Sequence, residues 1–399
     1  MRERIHGNDI LPAQFSCVCH HLLGRRGFVV SSESSRLCVL HSESSPSLGG
    51  QELRILLEME ELSVRGIESV LVARPNTPIL VEAKRRGLNA HGIPMRNSFD
   101  ILSMWKLRRL FRQYRVDVIN AHNSKDAWNV SLVARVLGKP VIRARHIGNR
   151  VKPGHLRLMI YGPMCDAIVT TGEGIKEGLV EAGIPAEKIR VIPTGIDIER
   201  YASGQPGSLR TDLDIPFDAL VVAQVAVMRS DKGPDVFVSA AQKLIREGCP
   251  AYFILVGEGS MRRRVEAQLQ EDDGEGRIKL AGYRRDIPEI LADVDIYVLA
   301  ARSPEGVPQA ILQAHAARVP VVATNVGGVR EVAIHDETAL CAPRNDPETL
   351  AIHIRHLLEN PDTGRRLAEK GHLLTAEQYS MELMLSRMES LYRQLSGQQ

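Results

Sequence analysis

The sequence predicts an α/β protein built from two doubly wound parallel-sheet domains. Three observations carry that prediction. Short continuous apolar runs alternate with segments of helical period, the pattern of strands covered on both faces by crossover helices. The alternation pauses once, across a polar stretch holding Gly204, Pro206, Gly207 and Pro216, and then resumes. The chain has 399 residues, enough for about two domains at ~100–200 residues each.

Residues 1–35 show no period and are expected to form a poorly ordered extension. From Arg36 the strands read Leu37–His41, Ile67–Ala73, Val116–Ala121, Val141–Ala144, Ala167–Thr170 and Ile189–Ile192. The helices between them read Gln51–Arg65, Thr77–Arg86, Ile101–Arg115, Lys125–Leu137, His155–Met164 and Ile175–Ala182. This first domain spans residues 36–195, and a linker is expected at 196–218. Residues 219–375 form the second domain, with strands Leu220–Met228, Ala251–Val256, Asp295–Leu299, Val319–Thr324 and Thr338–Cys341. Residues 376–399 close the chain with a helix whose apolar stripe is Met384, Met388, Leu391 and Tyr392.

Composition narrows the classes. A hydrophobic fraction of 44% and a charged fraction of 25% are ordinary for a globular protein and argue against disorder. A net charge of +3 gives no global polyanion signature, so no nucleic-acid partner is expected. The six cysteines form no C-x-x-C pair and suggest neither zinc ligation nor a disulfide framework. No ligand-spaced cluster of Asp, Glu or His suggests a metal either. Reduced thiols, no clean signal peptide and no apolar run near ~20 residues lead to an expected cytoplasmic location.

In an open α/β sheet, ligands sit at the carboxyl ends of the strands. Those ends carry the chemistry here. Ser303-Pro-Glu-Gly-Val-Pro-Gln-Ala-Ile-Leu-Gln313 links a strand to a helix. Pro308 suits the first helical turn, Gly306 admits close backbone approach, and amides at such a start attract phosphate or sugar oxygens. Val307 lies between them, with Glu305 at the mouth and Gln313 about two turns in. The same features also describe an ordinary helix entry with an acid placed well for the dipole. Arg229 and Lys232 follow another strand, as a phosphate-binding pair or a solvated basic turn. Gly257, Glu258 and Gly259 follow the next strand, and Gly282-Tyr283 offers an aromatic for a nucleobase. In the first domain, Gly49-Gly50 opens a helix without the G-x-G-x-x-G dinucleotide fingerprint. His122 and His146 stand at neighbouring strand ends. Ile101–Arg115 is basic and amphipathic. It reads either as a sheet-packing helix with a solvated face or as peripheral contact with an anionic membrane.

The order of these clusters resembles family 4 of the retaining glycosyltransferases, over roughly residues 36–396. The resemblance implies the GT-B architecture, two domains facing across a donor cleft. It implies a nucleoside-diphosphate sugar as co-substrate, a glycan or glycolipid acceptor, and no further cofactor or metal. Gly49 and Gly50 then match the family's glycine loop near the donor phosphates and acceptor, and His146 a histidine near the transferred sugar. Lys232 and Arg229 match the basic pair on the diphosphate. Many members place that arginine five before the lysine, where this chain has Val227. Glu305 matches the first glutamate of an E-x7-E motif contacting the sugar, and Gln313 replaces the second, which holds the ribose. By the same likeness the closing helix crosses back to the first domain.

The expected reaction is therefore sugar transfer with retention, in lipopolysaccharide or exopolysaccharide synthesis. The growing charge on the leaving diphosphate falls to Lys232, Arg229 and the helix start. Two alternatives share much of the pattern: a GT-B-fold nucleotide-sugar epimerase, and a non-catalytic sugar- or membrane-binding module. A nicotinamide dehydrogenase is disfavoured by the missing fingerprint.

Overall fold

The computed structural model of the protein describes residues 36–46, 48–146, 155–272, 274–304 and 306–398. The expected extension at 1–35 lies outside the described residues, and so does Glu305.

Seven parallel strands form the first sheet. They are β1 (Cys38–Glu43), β2 (Glu68–Ala73), β3 (Ala90–Gly92), β4 (Val118–Ala121), β5 (Val141–Arg145), β6 (Ala167–Thr170) and β7 (Ile189–Val191). Their order is β3-β2-β1-β4-β5-β6-β7, so the winding reverses between β1 and β4. Six parallel strands form the second: β8 (Val221–Val225), β9 (Tyr252–Val256), β10 (Ile278–Gly282), β11 (Ile296–Leu299), β12 (Val321–Thr324) and β13 (Leu340–Ala342). Their order is β10-β9-β8-β11-β12-β13, reversing between β8 and β11. These reversals are where a doubly wound sheet opens a crevice for ligand.

Local chemistry starts the helices where the sequence allows. Asp100 accepts from the Ser103 amide to cap helix Ile101–Gln113, and Asn123 accepts from Lys125 to cap Ser124–Val136. Ser380 accepts from Leu383 to cap the closing helix, Met381–Ser396. That helix packs on the first sheet: Met384, Leu385, Met388, Leu391 and Tyr392 are buried with Val39, Leu62, Val118, Ile142 and Ile192. Burying five such side chains contributes roughly 10 kcal/mol before ordering costs are subtracted. The crossing is tight. The Ile196 amide donates to Tyr379 O at 2.8 Å, and a Cβ on Gly195 would lie 2.5 Å from Met381 Cα.

Three details differ from the sequence reading. Strands β3 and β10 were not anticipated, because both are sheet edges with little apolar burial. The stretch 196–218 is more than a spacer. It carries helices Ile198–Ala202 and Ser208–Asp212, and buries Ile196, Leu209 and Ile215 in the second core. The helix read as Ile101–Arg115 ends at Gln113, and Arg115 takes a left-handed φ of 50°.

Candidate active site

The strand ends of the two sheets face each other, and three glycines mark the contact. A Cβ on Gly50 would lie 3.0 Å from Gln309 Nε2, at the start of helix Gln309–Ala316. A Cβ on Gly306 would lie 2.9 Å from Thr171 Oγ1 and 3.7 Å from His146 O. A Cβ on Gly172 would lie 2.8 Å from Glu331 Oε1. The loop after β11 is thus set against the ends of β1, β5 and β6. Glu331 also accepts from the amides of Glu173 (3.2 Å) and Gly174 (3.4 Å), so a carboxylate of one domain caps a helix of the other. It sits at the end of a 3-10 turn, Gly327–Glu331.

On the second domain, Pro308 is the cap of helix Gln309–Ala316, and its carbonyl accepts from Ile311 and Leu312. The amides of Gln309 and Ala310 precede any intrahelical acceptor and belong to the positive end of the helix. Val307 packs against the second core, and Gln313 is half-buried in the second turn. Lys232 ends a short turn after β8, and its carbonyl accepts from the buried Gln224 side chain at 2.9 Å. Arg229 forks onto Asp231, at 3.0 and 2.8 Å. The next residue after Lys232, Gly233, has φ 59°, and a Cβ there would lie 2.1 Å from Ala300 O. Gly257 is similar: φ is 136°, and a Cβ would meet Ala226 O at 2.0 Å. Only glycine permits these backbone approaches, which bring the ends of β8, β9 and β11 together. Gly282 lies against Glu258, whose carboxylate pairs with Arg262. Tyr283 is exposed, with the Arg285 guanidinium 6.0 Å from its ring centre.

On the first domain, Gly49 caps helix Gly50–Val64, and its amide donates to Glu52 at 2.7 Å. His122 and His146 are brought together, His122 Nδ1 to His146 Nε2 at 3.4 Å. Burial, then the adjacent imidazoles, holds His122 well below the ordinary histidine range. Burial, then the Arg54 and Arg143 cations, does the same for His146. Both rings are therefore neutral near pH 7.

Beneath this surface lies a polar layer that the sequence reading missed. Glu43 ends β1, fully buried. It accepts from the Ser45 amide at 2.7 Å and from Asn123 Nδ2 at 3.2 Å. Asp126 is buried beside it, its carboxyl pushed up to about 7 by desolvation and by Glu43. Arg54 donates to Ile192 O and Thr194, and Arg143 to Ala121 O and Ser124. The usable signal was His41-Ser-Glu43, polar residues continuing an otherwise apolar strand. Among the described residues, no group of three or more His, Cys, Asp or Glu is gathered to hold a metal ion. Cys38 and Cys165 are buried thiols, while Cys249 and Cys341 are half-buried.

Two parallel-sheet domains with glycine turns and a helix start meeting across their strand ends define a GT-B glycosyltransferase, and the comparisons agree. The "Glycosyltransferase Family 4" model matches residues 48–200 and the "Glycosyl transferases group 1" model residues 208–373. The chain belongs to glycosyltransferase family 4. It is 27% identical to the UDP-Gal:alpha-D-GlcNAc-diphosphoundecaprenol alpha-1,3-galactosyltransferase of Escherichia coli, over 75% of this chain and 82% of that protein. It is 26% identical to the lipopolysaccharide core biosynthesis glycosyltransferase LpsE of Rhizobium meliloti, over 84% of this chain and 93% of that protein. The fold is similar to a glycosyltransferase from Rickettsia africae, with TM-score 0.82, 21% identity and coverage of 90% and 99% of the two chains. It is also similar to Anabaena HepE in complex with UDP, with TM-score 0.77, 18% identity and coverage of 90% and 100%.

Proposed function

We propose that this glycosyltransferase moves a hexosyl group from a UDP-sugar to a hydroxyl of a lipid-linked glycan, with retention and without a metal cofactor. The place is the cytoplasmic face of a membrane, in the synthesis of cell-surface polysaccharide. The observation that carries the reading is the loop after β11, held against Gly50, Thr171 and His146 of the other domain. The donor diphosphate then lies at the helix start Gln309–Ala316 and beside Lys232. There the positive dipole end and an ammonium meet the charge that grows on the leaving group. Arg229 joins them on exchanging Asp231 for phosphate oxygens. Gln313 holds the ribose through its amide, and Glu305, by the family resemblance, contacts the sugar. The departing phosphate accepts the proton of the attacking hydroxyl, in a front-face displacement. The nucleotide and the lipid-linked acceptor rest on the similar Escherichia coli and Anabaena proteins.

Helix Ile101–Gln113 supports the membrane part. Its outer face exposes Ile101 (79%), Leu102 (76%) and Trp105 (64%), with Phe99 (58%) just before it. Lys106, Arg108, Arg109 and Arg112 are exposed on the same helix. Apolar side chains rimmed by cations suit the interface of an anionic bilayer. No helix among the described residues is long and apolar enough to cross a membrane.

The test is a thermal shift of the purified protein with nucleoside diphosphates in the presence of a chelator. Ligand at 100 times its Kd adds about 2.7 kcal/mol to the folded state. Selective stabilisation by UDP, weakened in Lys232→Ala, is expected; an equal shift in the variant would sink the site. With donor and acceptor, the product anomer must match the donor by proton NMR. A sugar isomer formed without acceptor would establish the epimerase reading instead. Binding to phosphatidylglycerol vesicles, lost in Leu102→Ser/Trp105→Ser and absent on phosphatidylcholine alone, tests the membrane face.

A further inference from the structure

Three histidines, not two, stand in line. His41 in β1, His122 after β4 and His146 after β5 lie on three neighbouring strands at the winding reversal. His41 Nδ1 is 3.2 Å from His122 Nε2, and His122 Nδ1 is 3.4 Å from His146 Nε2. The rings stack in sequence, with centroids 5.4 and 5.7 Å apart and interplanar angles of 11° and 23°. His41 and His122 are buried, whereas His146 is half-buried and its carbonyl oxygen lies 3.7 Å from where a Cβ on Gly306 would stand. At the inner end, His41 Nε2 is buried without a hydrogen-bond partner, near the edge of the Tyr392 ring.

Each nitrogen–nitrogen contact needs one proton between two neutral rings, so the protons of the row must all face the same way. Facing inward, the row ends in an N–H at the orphaned His41 Nε2. Facing outward, it ends there in a bare lone pair and presents an N–H from His146 Nδ1. Orphaned buried donors are the rarer and worse outcome. Burial lowers the proton affinity of all three rings, consistent with a neutral row.

We infer that His41 and His122 are positioning residues that fix His146 as its Nδ1–H tautomer, aimed as a neutral hydrogen-bond donor at the sugar in the cleft. The last clause rests on the proposed function; the tautomer does not. An acceptor nitrogen at that place could accept from a sugar hydroxyl but could not donate to the ring or glycosidic oxygen, which only accept.

The experiment is two-bond nitrogen–proton NMR of protein labelled with nitrogen-15 in histidine, the His146 signals being assigned by their loss in His146→Gln. The wild type is expected to show His146 protonated at Nδ1 and neutral at pH 7. His41→Leu should shift that ring toward the Nε2–H form that free imidazole side chains prefer. His41→Asn, whose amide nitrogen stands near the place of Nδ1, should restore it. A wild-type His146 carrying its proton on Nε2, or a charged one, overturns the inference without need of a folded variant. An unchanged tautomer in folded His41→Leu also overturns it. In the transfer assay, His41→Leu should lower kcat at least tenfold while UDP affinity stays within twofold. If neither protein turns over any donor, the proposed function fails and the tautomer result still stands.

Discussion

Tyr392→Phe tests the seam between the closing helix and the first domain. The Tyr392 side chain is fully buried, accepts from Asn120 Nδ2 at 2.7 Å and donates to Glu58. Asn120 and Glu58 are buried too, on β4 and on helix Gly50–Val64, so the hydroxyl ties three elements together. The ring of the variant fits the same space, so packing is conserved and the hydroxyl alone is removed. Two buried groups then lose a partner. A neutral amide stranded this way costs about 1–3 kcal/mol, and a hydrogen bond to a charged group is worth about 1.5–3 kcal/mol. The expected loss is roughly 3–5 kcal/mol, a large share of the ~5–15 kcal/mol that holds a domain folded. Urea unfolding followed by circular dichroism measures it. The two sheets have separate cores, so two transitions are expected, and the loss belongs to the one that reports the first domain. The closing helix should also gain amide exchange. A loss below about 0.5 kcal/mol, in the range of an ordinary surface substitution, would refute the buried seam.

Three further outcomes follow from the same structure. Gly257→Ala drives a Cβ to 2.0 Å from Ala226 O and should cost the second domain more than 3 kcal/mol or prevent its folding, whereas Gly66→Ala, at φ 80° with open space around it, should cost only about 1 kcal/mol in the same urea assay. Asp126 is pushed from 3.8 to about 7, so between those values the folded chain holds a proton that the unfolded chain has released. Stability therefore falls as pH rises through that window, and Asp126→Asn should add up to roughly 4 kcal/mol at pH 8 and nothing near pH 4. An Asn variant no more stable at pH 8 than the wild type would contradict the buried acid. Glu331→Ala removes the carboxylate that caps helix Glu173–Glu181 from the opposite domain, and small-angle scattering should show a larger radius of gyration than in the wild type.

The sequence by itself determined the architecture, because strands buried on both faces must be apolar throughout and their crossover helices must repeat every 3.6 residues. It also put candidate ligand-binding residues at strand ends. Gly257 and Lys232 could be placed at strand ends from local pattern alone, and the stripe on Met384, Met388, Leu391 and Tyr392 announced a helix with one buried face. It did not show β3 or β10, since an edge strand needs only half a face of apolar residues. Nor did it show the meeting of Gly306 with Thr171, of Glu331 with Gly172, or of His41 with His122. Those pairs stand 81 to 159 residues apart along the chain, if measured from the two histidines to the glycine–glutamate pair. Period and propensity act over a few residues. Which strand lies beside which, and which loop faces which across the cleft, is settled by the crossovers that bury both faces of each sheet. For that reason only the tertiary structure could turn three scattered histidines into a row.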